Sequence, residues 1–140
     1  MTILNPDQPA HAAAEERLRT EPIAWLTTVA SSGQPQSTPV WFLWADGEFL
    51  VYGAARGPKT RSIEANPRVS LHLEGNGQGG ANVIFEGTAR LDPAGPRAAD
   101  VPAYVAKYAG LIEGNGWTPA SFSDLYPHVI RVAPTRARIW

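Results

Sequence analysis

IAWLTTV (Ile23–Val29), SSGQP (Ser31–Pro35), STPVWFLW (Ser37–Trp44), DG (Asp46–Gly47) and EFLVYG (Glu48–Gly53) follow one another in the stretch that decides the fold. The first, third and last pieces are β-branched and aromatic, the residue types that suit a pleated, half-buried surface. Gly33 and Pro35 supply turn chemistry between the first two runs. Asp46-Gly47 between apolar runs is a strong short-range hairpin signal, because the tightest hairpin turns need positive φ at both central residues. Three strands in an antiparallel meander are expected.

Working outward, Asp7 to Thr20 (DQPAHAAAEERLRT) is rich in good helix formers and stops before Pro22, so it predicts an N-terminal helix. Lys59 to Ala65 predicts about two helical turns, ended by Asn66-Pro67 because proline disfavours a helical residue before it. Arg68 to Leu73 (RVSLHL) alternates, with Val69, Leu71 and Leu73 on one side, and Ala81 to Leu91 is a second long run. Gly75-Asn76-Gly77-Gln78-Gly79-Gly80 joins these two strands. It does not open a helix, so it reads as a hairpin loop and not as a nucleotide fingerprint. Ala103 to Leu111 and Pro119 to Tyr126 predict further helices, and His128 to Ala133 and Thr135 to Trp140 two final strands. The fold class is mainly β, an antiparallel barrel with a few short helices, in a single domain spanning 1–140.

Composition narrows the function classes. A chain of 140 residues fits one domain that buries roughly two-thirds of its unfolded surface. Lys+Arg 12 against Asp+Glu 13 leaves a net charge of -1, so no global field draws in nucleic acid or an anionic membrane. Cysteine is absent, which removes disulfides, thiolate nucleophiles and Cys-ligated zinc together. Met1 to Thr20 has no apolar leader region, and no run approaches the ~20 apolar residues of a membrane helix. A cytoplasmic protein is expected. His11, His72 and His128 lie far apart without a ligand partner at i+3 or i+4, so no metal site is expected. No G-x-S-x-G elbow occurs, which leaves nothing to suggest a serine hydrolase.

The run Pro39 to Trp44 is apolar on both faces, with Val40, Phe42 and Trp44 on one and Trp41 and Leu43 on the other. A half-solvated sheet does not look so. The outer face calls for a covering helix or a second subunit; few long helices are apparent, which favours a homodimer.

The chemistry gathers between Gly53 and Arg61. Gly53-Ala54-Ala55-Arg56-Gly57-Pro58-Lys59-Thr60 departs from a Walker A phosphate loop at one residue, Pro58, which removes a donor where the motif needs glycine. The helix that follows is also too short for a nucleoside triphosphatase. What remains is an outline anion cradle: Arg56, Lys59 and Arg61 at the end of a strand and the start of a helix. Lys59 and Arg61 are two apart and diverge by roughly 200° on a helix. A solvated charged turn accounts for the same residues equally well. Trp140, after Arg136 and Arg138, is placed to cap a pocket or a subunit interface.

The order of these parts resembles the flavin- and deazaflavin-binding split β-barrels related to pyridoxamine 5'-phosphate oxidase. Four stretches carry the likeness: Ala24 to Thr28 with the Gly turn and Gln36 to Trp41, then Gly57 to Arg61, Asn66 to Leu71, and Phe85 to Ala89. The resemblance implies an antiparallel split barrel of the FMN-binding type, paired as a homodimer with a cofactor at each interface. By it, Lys59 and Arg61 bind the cofactor phosphate with Arg56 and Thr60 as neighbours. Ser37, Thr38, Pro39, Val40 and Trp41 run along the ring, and Trp140 closes the site from the other subunit. The Gly-Pro-Lys-Thr-Arg loop and the short chain look more like the branch that uses the deazaflavin F420, with FMN as the alternative. Arg136-Ala137-Arg138-Ile139-Trp140 departs from the ending of true pyridoxamine phosphate oxidases, which argues against vitamin B6 substrates. Arg17 and Arg19 on the first helix are placed to reach an acidic polyglutamate tail, or simply form its solvated face. The implied function is hydride transfer between F420 and a small organic substrate, with no side chain required as acid or base. The same fold with FMN, and a carrier that binds without turnover, are the other readings.

Overall fold

The structure is a computed structural model that describes residues 3–140. Its elements are α1 (Pro9–Thr20), β1 (Ala24–Val29), β2 (Pro35–Val40), β3 (Leu43–Ala45), β4 (Glu48–Gly53), α2 (Pro58–Ala65), β5 (Arg68–Leu73), β6 (Val83–Leu91), α3 (Pro102–Gly114), α4 (Pro119–Leu125) and β7 (His128–Ile139), with a 3₁₀ turn at Ala98–Asp100. All strand pairs are antiparallel, in the order β2-β1-β5-β6-β7-β4-β3. The two edge strands are consecutive in sequence, joined only by Trp41 and Phe42, so the seven-stranded sheet must curl until its edges meet. This is the split barrel that the resemblance implies.

Asp46 and Gly47 form the β3–β4 turn, with φ of 55° and 75°, the left-handed pair that a two-residue hairpin requires. Inside the curl, Leu26, Leu71, Phe85, Phe49, Val51, Ile130 and Phe42 pack with Leu18 of α1. Complete burial of such side chains stabilises by roughly 1.5 to 3 kcal/mol each. Outside, Leu50, Tyr52 and Val129 pack under Tyr104, Tyr108 and Ile112 of α3 and Phe122 of α4. β4 is therefore buried on both faces.

Several expectations are corrected. Ser37 to Trp44 is not one strand: it breaks at Trp41-Phe42, where the chain crosses from one sheet edge to the other. The apolar outer face of that run is covered by the chain's own helices, since Trp41 stacks on Tyr108 at 4.8 Å and on Phe122 at 5.3 Å. The third helix is longer than the sequence indicates, so the run does not by itself call for a second subunit. The two final strands are one, β7, with a register shift opposite Glu86 and Gly87 that accommodates Pro134. Among the described residues, no helix is long and apolar enough to cross a membrane.

Candidate functional site

The barrel stays unpaired between the end of β2 and the end of β4, and there a cleft of about 240 Å³ opens. One wall is Pro39, Val40 and Trp41; another is Gly53 and Ala54 with Gly57, Lys59 and Thr60 at the start of α2. The roof is aromatic: Tyr104 of α3, Trp117 between the helices, Phe122 of α4 and Tyr126 after it.

The cationic end is built by α2. Gly57 is its N-cap and Pro58 its first residue, and no side chain caps it. The first-turn N–H groups of Lys59 and Thr60 thus have neither an intrahelical partner nor a capping side chain, and the helix dipole adds partial positive charge. Thr60 is buried, its hydroxyl donating to Gly57 O at 3.3 Å. Lys59 is half-buried, and burial lowers its pKa below the ordinary lysine range. No carboxylate among the described residues pairs with it. A half-buried ammonium without a counter-charge, beside free helix N–H groups, is chemically fitted to an anion.

Of the site residues expected from sequence, Pro39, Val40, Trp41, Lys59 and Thr60 meet in this cleft. Arg56 and Arg61 are exposed and lie outside its lining, Arg61 diverging from Lys59 as the helical spacing requires. Ser37 is exposed on the edge strand, its Oγ 2.6 Å from Thr27 Oγ1. Thr38 Oγ1 is buried with no hydrogen-bond partner. Trp140 is 61 % exposed at the far end of β7 from the cleft, bonded through its backbone to Asn82 and lying under the Arg138 guanidinium at 5.4 Å. It does not join the cleft of its own chain. Arg17 is committed to Glu21 and to the carbonyls of Ala81 and Glu74, and Arg19 to Glu15.

The aromatic roof was not read from the sequence as part of the site. Its signal is present: Tyr104 and Tyr108, and Phe122 and Tyr126, are each four apart and so share a helix face. The histidines stay apart, His128 Nε2 lying 3.1 Å from Ala55 O and His72 Nδ1 3.0 Å from Leu73 O. No metal-type cluster occurs among the described residues. The glycine-rich loop joins β5 to β6 as a hairpin connection and borders a wider, shallower groove with Trp25 and His72.

A seven-stranded antiparallel split barrel with a cationic helix start and an aromatic cleft at its seam defines a protein of the flavin-binding split-barrel class. The chain belongs to the pyridoxamine 5'-phosphate oxidase family, whose model matches residues 10–140. A conserved hypothetical protein from Mycobacterium tuberculosis is similar in structure, with a TM-score of 0.73 and 24% identity over 99% of this chain and 89% of that one. An F420 reductase is similar with a TM-score of 0.63 and 24% identity, covering 89% of this chain and 94% of that one. HutZ, the heme storage protein of Vibrio cholerae, is similar with a TM-score of 0.65 and 18% identity, covering 94% and 95%. At these identities the likeness is one of fold. No curated protein matches the sequence.

Proposed function

We propose that the protein is an oxidoreductase that holds F420 in the seam cleft and passes a hydride to a small organic substrate. The observation that carries this reading is Lys59, half-buried and without a counter-charge at the mouth of an aromatic cleft. Lys59 and the first-turn N–H groups of α2 hold the cofactor phosphate, with Thr60 fixing the turn and Arg61 and Arg56 adding charge from its outer side. The segment Ser37 to Trp41 lies along the ring, with Pro39, Val40 and Trp41 facing it from the cleft wall. When bound, reduced F420 supplies the hydride. The chain's own residues need only orient the reactants and exclude water, and the aromatic roof suits both tasks. No residue is assigned as a catalytic acid or base.

A homodimer belongs to the same proposal. The cleft of one chain, about 240 Å³, is below the roughly 300 Å³ at which pockets for whole small molecules begin. A second copy laid over the exposed edge strand β2 would enlarge it, with Trp140 of that copy as a cover. A cytoplasmic location belongs to the same proposal, and the cysteine-free composition is compatible with a reducing compartment. The reading with FMN in the same place, and that of a carrier without turnover, are set against it by one experiment. Purified protein is titrated with F420 and with FMN while its tryptophan fluorescence is followed, since Trp41 and Trp117 line the cleft. Tighter F420 binding followed by substrate-dependent oxidation of reduced F420 supports the proposal. Tighter FMN binding moves the chain to the other cofactor, and binding without turnover over a broad substrate panel makes it a carrier. A monomer mass in light scattering with cofactor bound would remove the dimer.

A further inference from the structure

Three buried tyrosines stand behind the cleft, and the protein accounts for only two of their hydroxyls. Tyr108 bonds to Phe42 and Pro22, and Tyr52 donates to Pro96 O at 2.9 Å. The Tyr104 hydroxyl bonds to no group among the described residues, although Tyr104 is only 1 % exposed. It is not sealed in, because Thr38 Oγ1 alone is both fully buried and unpartnered among the described side chains. Tyr104 is one of the residues that line the cleft.

Packing does not explain this hydroxyl. Phenylalanine would keep the ring contacts with Tyr52 at 5.0 Å, Tyr108 at 4.9 Å and Phe122 at 5.9 Å, and would spare the cost of a buried polar group without a partner. Burial, then the neighbouring Tyr108, Tyr52 and Tyr126, push its pKa far above the ordinary phenol range. The group is therefore a neutral hydrogen-bond donor at any physiological pH. Around it the roof offers flat, uncharged aromatic surface in Trp41, Trp117 and Phe122.

We infer that Tyr104 donates a hydrogen bond to the carbonyl oxygen of a flat, uncharged conjugated ketone held against the aromatic roof, and so selects the class of substrate. The inference deepens the proposed function and rests on the cleft being its reaction chamber. Lys59 and Tyr104 line the same cleft; in this reading the lysine grips an anion and the tyrosine reads a neutral acceptor. A hydride acceptor whose carbonyl oxygen accepts this bond would gain stabilisation as negative charge develops on that oxygen.

The test uses the full chain and needs no cofactor. Affinities for 1-indanone and for indane, the same ring without the oxygen, are measured by ligand-observed NMR for the native protein and for Tyr104→Phe. The ketone-to-hydrocarbon affinity ratio is expected to fall about fivefold in the variant, with indane affinity unchanged and thermal stability undiminished. An unchanged ratio overturns the inference, as does equal loss of both affinities, which is a packing effect. Failure of either ring to bind at millimolar concentration overturns it too. A protein that ignores F420 but shows the expected drop in ratio loses the cofactor reading and keeps this one.

Discussion

The Tyr108 hydroxyl accepts a hydrogen bond from Phe42 N–H at 2.7 Å and lies 3.0 Å from Phe42 O and 2.8 Å from Pro22 O, 66 and 86 residues away. Phe42 sits where the chain leaves β2 for β3, so its backbone has no strand partner. Tyr108 replaces that partner, and Lys107 Nζ donates a second bond to Phe42 O at 2.8 Å while lying 3.7 Å over the Phe42 ring. Tyr108→Phe leaves a buried N–H unsatisfied and should destabilise by about 2 kcal/mol, a drop in melting midpoint of roughly 6 °C. Tyr104→Phe, which removes no internal bond, should not lower the midpoint. Equal loss in both variants would show that Phe42 does not depend on this hydroxyl.

What was legible in the sequence was local. Asp46-Gly47 announces its hairpin because the turn's φ values are a property of those two residues, and Asn66-Pro67 ends α2 for a similarly local reason. The cationic start of α2 was legible from its own residues, and the wall from Pro39 to Trp41 through the family resemblance. The crossover at Trp41-Phe42 was not, because its backbone partners are Tyr108 and Lys107, far along the chain. A continuous apolar run gives no sign of such a break. The aromatic roof was hidden for the same reason: periodicity places Tyr104 with Tyr108, and only the folded chain shows what their shared face covers.

Gly87 explains why one piece of the Phe85 to Ala89 stretch is glycine. A Cβ there would meet Ala133 O at 2.5 Å and Pro134 Cα at 3.1 Å, in the shifted register between β6 and β7. The obstruction is backbone and cannot swing aside. Gly87→Ala should cost about 2 to 3 kcal/mol. Gly110→Ala on α3, where a Cβ meets nothing within 4 Å, should stabilise by about 0.5 to 1 kcal/mol through helix propensity. Denaturant melts of the two variants check the contrast, and an unaffected Gly87→Ala would mean that the two strands separate at little cost.

The loop cations should not contribute equally to cofactor binding. Lys59 lines the cleft and is partly desolvated, whereas Arg61 and Arg56 are exposed. Charge-assisted contacts to phosphate are worth about 1.5 to 3 kcal/mol when shielded from water and less at the surface. Lys59→Ala should weaken F420 binding at least tenfold, Arg61→Ala less, and Arg56→Ala least. Fluorescence titration gives the order; a larger effect at Arg61 than at Lys59 would move the phosphate to the outer face of α2.

The same lysine sets a pH dependence. Burial lowers the Lys59 pKa from its usual 10.5, so in the free protein the ammonium is lost at a lower pH than for a solvated lysine. Only the charged form attracts an anion. Affinity for F420 should therefore be full below the lowered pKa and fall as pH rises through it, while the bound anion pulls the pKa back up and the complex takes up a proton on forming in that window. The stability of the unliganded protein runs the other way: the unfolded chain binds this proton more readily, so the penalty of the buried charge is present at neutral pH and is relieved as pH rises toward 10.5. Lys59→Arg keeps the charge at all these pH values. Its F420 affinity should be flat over the range where that of the native protein falls, and calorimetry in buffers of different ionisation enthalpy should show the native proton uptake vanish in the variant. A native affinity that stays level through pH 10.5, the usual lysine value, would mean that Lys59 does not hold the phosphate.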